Sequence, residues 1–293
     1  MTPQELAAML MAARKPAPTI AEMAADMEEL GASLPMPEGV VETPRSLGGI
    51  DGLWFAPEGS DARQGCILYL HGGGYGIGSA RSHRALTALI AQVCAMPVWS
   101  IDYTLSTSRP FPAAIEDALA AFEALVSAGY APGSIFVIGD SAGGGAAAAM
   151  ALLALDRGVP APGGLVLFSP WLDLTFSGAS HRECGPRDPV VCVHSMTMMR
   201  ESYLRGADPA SRHASPALAD LRGLPPVLIQ VGSEELLLSD SLTFAERAGI
   251  DRVEVTLEVW PDMIHVFQAY FPHLEQAHHA LARVVGWIAA RIA

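Results

Sequence analysis

No stretch of the 293-residue chain approaches the roughly 18 consecutive apolar residues needed to span a bilayer, so stable membrane insertion is not expected. Basic residues are scarce, with 18 Lys and Arg against 31 Asp and Glu. The resulting net charge of −13 repels nucleic acid and anionic membrane surfaces, and neither is expected as a partner. Cysteine is scarce too. Cys66, Cys94, Cys184 and Cys192 form no CxxC pair and no zinc-type spacing, which predicts reduced thiols and no metal site. Only Cys184 and Cys192 stand close enough in sequence to pair if oxidised. The opening residues Met1 to Glu5 lack the basic-then-apolar order of a secretion signal, and the expected location is the cytoplasm.

Apolar residues make up 51% of the chain and charged residues 17%, enough for one large buried core. Helical spacing predicts helices from Gln4 to Ala13 and from Ile20 to Leu30, separated by Pro16 and Pro18. Extended pieces follow near Val40 to Glu42 and Gly52 to Phe55. The apolar run Cys66 to Leu70 then stops at a glycine-rich loop, as a buried strand feeding a functional turn would. Further strands are predicted at Val98 to Ile101, Ile135 to Ile138, Leu165 to Phe168, Val227 to Val231 and Val253 to Val259. Helices alternate with them at Ser82 to Cys94, Pro112 to Ser127, Ala142 to Asp156, Leu236 to Ala248 and Leu274 to Ile292. That alternation predicts an α/β fold with a mostly parallel sheet covered by helices. The interval 173–216 breaks the rhythm, containing Pro186, Pro189 and Pro209 and a methionine cluster at Met196, Met198 and Met199. It is expected to be an inserted cap, completed by the N-terminal helices of 1–38, over a core formed by 39–172 and 217–293.

Gly139-Asp140-Ser141-Ala142-Gly143 follows a predicted strand and opens a predicted helix. In that context G-x-S-x-G is a nucleophile elbow, where a sharp turn lifts the serine above the sheet at the positive end of a helix dipole. His71-Gly72-Gly73-Gly74 ends an earlier strand, where an oxyanion-binding loop belongs. Backbone N–H groups of Gly73, Gly74 and Ala142 are the candidate oxyanion donors. A serine needs a histidine to take its proton and a carboxylate to fix the histidine's tautomer. Of nine histidines, His265 stands in the loop after the last predicted strand and is the best base. The acid belongs after the preceding strand, where Glu234, Glu235 and Asp240 are all candidates.

Taken with Asp102-Tyr103, Pro110 to Ala114, Ser169-Pro170-Trp171 and Met263 to Phe267, these motifs make the chain resemble the hormone-sensitive-lipase-like, or family IV, bacterial carboxylesterases. The resemblance covers nearly the whole chain. It implies the α/β-hydrolase fold, hydrolysis of short to medium acyl esters of small molecules, no cofactor, a helical cap and often a homodimer. Laid on the family's acid-bearing stretch, residues 235–241 put Glu235 in the acid's place, a glutamate where the family commonly has aspartate. Registering on Gly232 instead favours Glu234, and Asp240 is the third choice. A second departure is Thr104 and Ser108, where the family usually carries an arginine and a glutamate. Tyr75 and Trp171 are candidate substrate-contacting residues, with core packing as the alternative for each. The same machinery would serve a lactone or amide hydrolase, and a non-catalytic binding protein on this fold would be expected to carry damaged motifs.

Overall fold

The computed structural model describes residues 1–15, 18–59 and 65–292. Pro16, read as part of the break between the first two helices, lies outside the described residues. Eight strands form one sheet in the order β1-β2-β4-β3-β5-β6-β7-β8: β1 (Val40–Leu47), β2 (Ile50–Pro57), β3 (Cys66–Leu70), β4 (Val98–Ile101), β5 (Ile135–Asp140), β6 (Gly164–Phe168), β7 (Val227–Gly232) and β8 (Val255–Trp260). From β4 to β8 every pairing is parallel. β1 and β2 form an antiparallel hairpin, and β2 adds antiparallel to β4. Every residue of β3, β4, β5, β6 and β7 is buried, as expected of strands covered on both faces.

β1 runs five residues past Glu42 and through Pro44. Proline cannot donate to a ladder, and β1 tolerates it because it is the sheet's edge.

Helices α1 (Pro3–Ala13), α2 (Ile20–Ser33), α3 (Arg84–Cys94), α4 (Ala113–Ser127), α5 (Ala142–Arg157), α6 (Ser180–Glu183), α7 (Val193–Leu204), α8 (Leu238–Ile250) and α9 (Glu275–Ala289) complete the chain. Capping boxes open α1 at Thr2 with Glu5 and α2 at Thr19 with Glu22. Two apolar clusters cover the two faces of the sheet. One joins α4, α5 and α8 to Leu68, Trp99, Val137, Leu167 and Ile229, and the other joins α3 and α9 to Ile67, Val98, Phe136, Val166 and Leu228. Side chains alternate between clusters along each strand, the period-two rule of a pleated sheet.

The interval 173–216 contains α6 and α7, the latter carrying the methionine cluster. A buried pair, His181 Nε2 to Asp240 Oδ1 at 3.0 Å, ties α6 to α8. All four cysteines are unpaired. Among the described residues no helix is long and apolar enough to cross a membrane.

Candidate active site

The carboxyl ends of β3, β5 and β8 lead into loops that line one cavity, and the loop after β7 backs it through Glu235 and His265, as in open α/β sheets. Ser141 sits at the tip of β5 with φ +52° and ψ −120°, a conformation that costs a non-glycine residue on the order of 1–3 kcal/mol. Three hydrogen bonds hold it there. Its N–H donates to Phe168 (2.8 Å), and its carbonyl accepts from Trp171 (2.9 Å) and Gly145 (3.1 Å).

The turn needs room for backbone to pass backbone. A Cβ on Gly143 would lie 1.9 Å from the Leu70 carbonyl oxygen and 2.6 Å from that of His71. Because both obstacles are backbone, Gly143→Ala is expected to push α5 off β3. The expected cost is about 2–3 kcal/mol in a urea unfolding curve, with activity reduced as well.

Ser141 Oγ lies 3.0 Å from His265 Nε2, and His265 Nδ1 lies 2.8 Å from Glu235 Oε2. All three side chains are buried. Glu235 Oε1 accepts from Ser169 Oγ (2.7 Å) and from the Gly232 N–H (2.6 Å), while Ser169 Oγ accepts the Val266 N–H at 3.0 Å. One carboxyl oxygen is thus clamped to the core, leaving the other for the imidazole. The bond to Glu235 places the neutral ring's proton on Nδ1, so that Nε2 is free to accept from Ser141. Burial opposes the His265 imidazolium, yet the Glu235 carboxyl, with Asp188 and Asp140 behind it, raises its pKa above the ordinary value. Such a chain can draw a proton off a hydroxyl and hand it to a leaving group.

The other two acid candidates lie elsewhere. Glu234 points outward, a third exposed, and pairs with Arg187 at 2.7 Å. Asp240 accepts the N–H groups of Leu172 (2.9 Å) and Asp173 (2.8 Å) besides pairing with His181, and so holds the chain leaving β6.

Gly73 and Gly74 have φ of +111° and +58°, and they line the cavity beside Ser141. A Cβ on Gly74 would come within 2.7 Å of Met199. Ala142, fully buried, is the first residue of α5. The glycine loop is pinned to the elbow by Asp140, whose Oδ1 accepts from Tyr69 Oη (2.6 Å) and from the Gly72 N–H (3.0 Å). His83 Nε2 stands 3.5 Å from Asp140 Oδ2. Burial disfavours the Asp140 carboxylate, but His83, Tyr69 and His71 together bring its pKa below the usual range. Burial and the neighbouring His83 push His71 down to about 3, so it is neutral when stacked on Tyr103.

The cavity measures about 340 Å³. Its wall is largely apolar: Met23, Met27 and Leu30 from α2, Leu34 just after it, Met196 and Met199 from α7, and Val190 and Val191 before it. Tyr75 and Trp171, candidates for substrate contact with core packing as the alternative, are outside this lining and sit in the core cluster. Tyr75 stacks on Tyr203 with centroids 3.8 Å apart, and Trp171 stacks on Phe176 at 6.0 Å. Both flank the motifs in sequence, but their rings are drawn inward by aromatic packing. His83 and Ser169 have no place in the site read from sequence, because nothing local marks a contact such as that of Ser169 with Glu235, 66 residues away. At the Thr104 departure, Arg109 bonds to Thr104 Oγ1 (3.0 Å) and pairs with Asp117 (3.3 Å), so an arginine still braces that loop. Among the described residues no cluster of three or more His, Cys, Asp or Glu is placed to hold a metal ion.

A strained serine on a strand-to-helix turn, a histidine and an acid on successive later loops, and a glycine loop beside them define an α/β hydrolase. Residues 67–269 match the model of an α/β-hydrolase-fold family. An acetyl-hydrolase of Streptomyces hygroscopicus is 41% identical over 254 residues, 87% of this chain and 83% of that protein. An esterase of Acinetobacter venetianus is 34% identical over 86% of this chain and 84% of its own length. The crystal structure of EstE7, a hormone-sensitive-lipase homologue from a metagenome library, superposes with a TM-score of 0.96 at 42% identity, covering 100% of this chain and 99% of that one. The chain belongs to the hormone-sensitive-lipase-like branch of the α/β-hydrolase family, whose members are carboxylic-ester hydrolases.

Proposed function

We propose that this protein hydrolyses short to medium acyl esters of small molecules through Ser141, His265 and Glu235. The continuous hydrogen-bonded chain from Ser141 Oγ through His265 to Glu235 carries the reading. His265 Nε2 takes the hydroxyl proton as Oγ attacks the ester carbonyl carbon. The carbonyl oxygen, now anionic, is held by the N–H groups of Gly73, Gly74 and Ala142, each worth about 3 kcal/mol. Collapse of the tetrahedral intermediate expels the alcohol, which leaves with the proton from His265, and an acyl-enzyme remains on Ser141. Water, deprotonated by His265, repeats the attack and frees the acid, returning the proton to Oγ. Throughout, Glu235 holds the tautomer and supports the imidazolium charge.

The size of the substrate follows from the cavity, whose roughly 340 Å³ is near the lower end of the ligand-pocket range. Residues 1–38 and 173–216 act as the cap over a core of 39–172 and 217–293, a division supported by the cavity wall, which α2 and α7 build. We assign the enzyme to the cytoplasm, in keeping with its four unpaired cysteines. The homodimer implied by the family resemblance would show as twice the monomer mass in light scattering.

Assay on p-nitrophenyl esters from acetate to palmitate tests the reading. Turnover is expected to be highest on the shortest acyl chains and negligible on palmitate. A folded enzyme that leaves all of these esters intact but opens lactones would replace it.

A further inference from the structure

Asp188 lies between α6 and α7, fully buried, and stands outside the chain from Ser141 to Glu235. Its Oδ1 accepts the N–H groups of Val190 (2.9 Å) and Val191 (3.0 Å), two residues of the cavity wall. Its Oδ2 accepts the N–H of Leu236 (2.8 Å), the residue directly after Glu235. One carboxyl therefore staples the cavity wall to the loop that presents the acid. Arg14 donates to the Asp188 carbonyl (3.2 Å), fastening the segment after α1 to the same turn.

A buried carboxyl is costly, and three N–H donors do not by themselves require a full charge. His265 and the N–H groups of Leu236 and Val191 favour the charged form, and burial outweighs them, holding the carboxyl above the ordinary range. His265, Glu235, Tyr270 and Cys184 are the titratable groups that feel Asp188, and His265 feels Asp188 and Asp140 besides Glu235.

We propose that Asp188 is a positioning residue for ester hydrolysis: it fixes the Glu235 loop against the cavity wall, and its charge supports the His265 imidazolium alongside Glu235. This rests on the reading of Ser141, His265 and Glu235 given above. An acyl group seated against Val190 and Val191 would then bear, through one side chain, on the loop that orients the base.

The test is the pH dependence of kcat and kcat/KM on p-nitrophenyl acetate for wild type, Asp188→Asn, Asp188→Glu and Glu235→Gln. The acidic limb of kcat/KM reports the imidazole of the free enzyme. Asp188→Asn removes a charge that favours the imidazolium, so the limb is expected to move to lower pH by about half a pH unit. A kcat loss of about tenfold should accompany it as the loop loosens. Asp188→Glu keeps the charge but displaces it, so the limb stays while kcat falls. A purely structural residue would lower melting temperature or kcat without moving the limb. A folded Asp188→Asn with the wild-type limb overturns the proposal. Should that variant not fold, Asp188→Ser takes its place: a limb moved to lower pH supports the proposal, and the wild-type limb overturns it. Failure of both variants to fold would leave Asp188 a role in folding alone and also overturns it. Full activity in Glu235→Gln would instead sink the underlying site reading, whatever the Asp188 variants do.

Discussion

Ser141→Ala is expected to lower kcat on p-nitrophenyl acetate by a factor of about a million while leaving the protein folded. The side chain of Ser141 makes one hydrogen bond, to His265 Nε2, and the turn around it is held by backbone bonds that alanine keeps. Deleting the hydroxyl removes the nucleophile but no support of the fold, so the thermal unfolding midpoint should stay within a few degrees of wild type. The positive φ of +52° is retained in the variant, and alanine tolerates it no better than serine does. A fluorophosphonate probe supplies the second readout, since it should add to the wild-type peptide containing Ser141 and leave the variant unlabelled. Residual turnover above one-hundredth of wild type, with a labelled peptide elsewhere in the chain, would move the nucleophile away from Ser141.

The elements with strong periodicity were legible in the sequence to within a residue or two. β3 and β4 fall on the predicted residues, and α4 and α5 differ from prediction by one. These are buried apolar strands and amphipathic or alanine-rich helices, whose patterns come from burial itself. α8 starts at Leu238 and not at Leu236 because Leu236 is drawn into the turn that presents Glu235, its N–H taken by Asp188. The two catalytic-type loops were legible because glycines crowd where backbones touch. Only the family resemblance ranks Glu235 above Glu234 in sequence, since adjacent residues of a loop can point either way. Direction is set by distant partners: Ser169, 66 residues away, turns Glu235 inward, and Arg187 holds Glu234 at the surface. Of the two readings open for Tyr75 and Trp171, packing within the apolar core is the one their surroundings match, and adjacency to a motif does not say which way a ring turns. The methionines of the cap could be read equally as pocket lining or as core, because a methionine at helical spacing looks the same wherever it packs; Met23, Met27, Met196 and Met199 line the cavity.

Glu235→Gln is expected to reduce kcat by about ten-thousandfold, with Glu234→Gln within about twofold of wild type. The side chain of Glu235 serves three donors: Ser169 Oγ and the Gly232 N–H on Oε1, and His265 on Oε2. Glutamine has one acceptor oxygen and one amide group that only donates. Placed toward His265, the amide meets Nδ1–H and drives the proton to Nε2, where it faces Ser141 and blocks the transfer. Turned the other way, the amide meets the Gly232 N–H, leaving two buried donors opposed and shifting the loop. Neither orientation restores the carboxylate charge, so the acidic limb of kcat/KM should also move to lower pH, His265 having lost the partner that raises its pKa. Glu234, a third exposed and paired with Arg187, has no comparable tie, and removing a surface ion pair costs about 1 kcal/mol at most. The two variants measured side by side at several pH values decide the acid. A collapse in Glu234→Gln with Glu235→Gln active would require the loop after β7 to turn over during catalysis, bringing the outward glutamate to His265 and releasing Glu235 from Ser169 and Gly232.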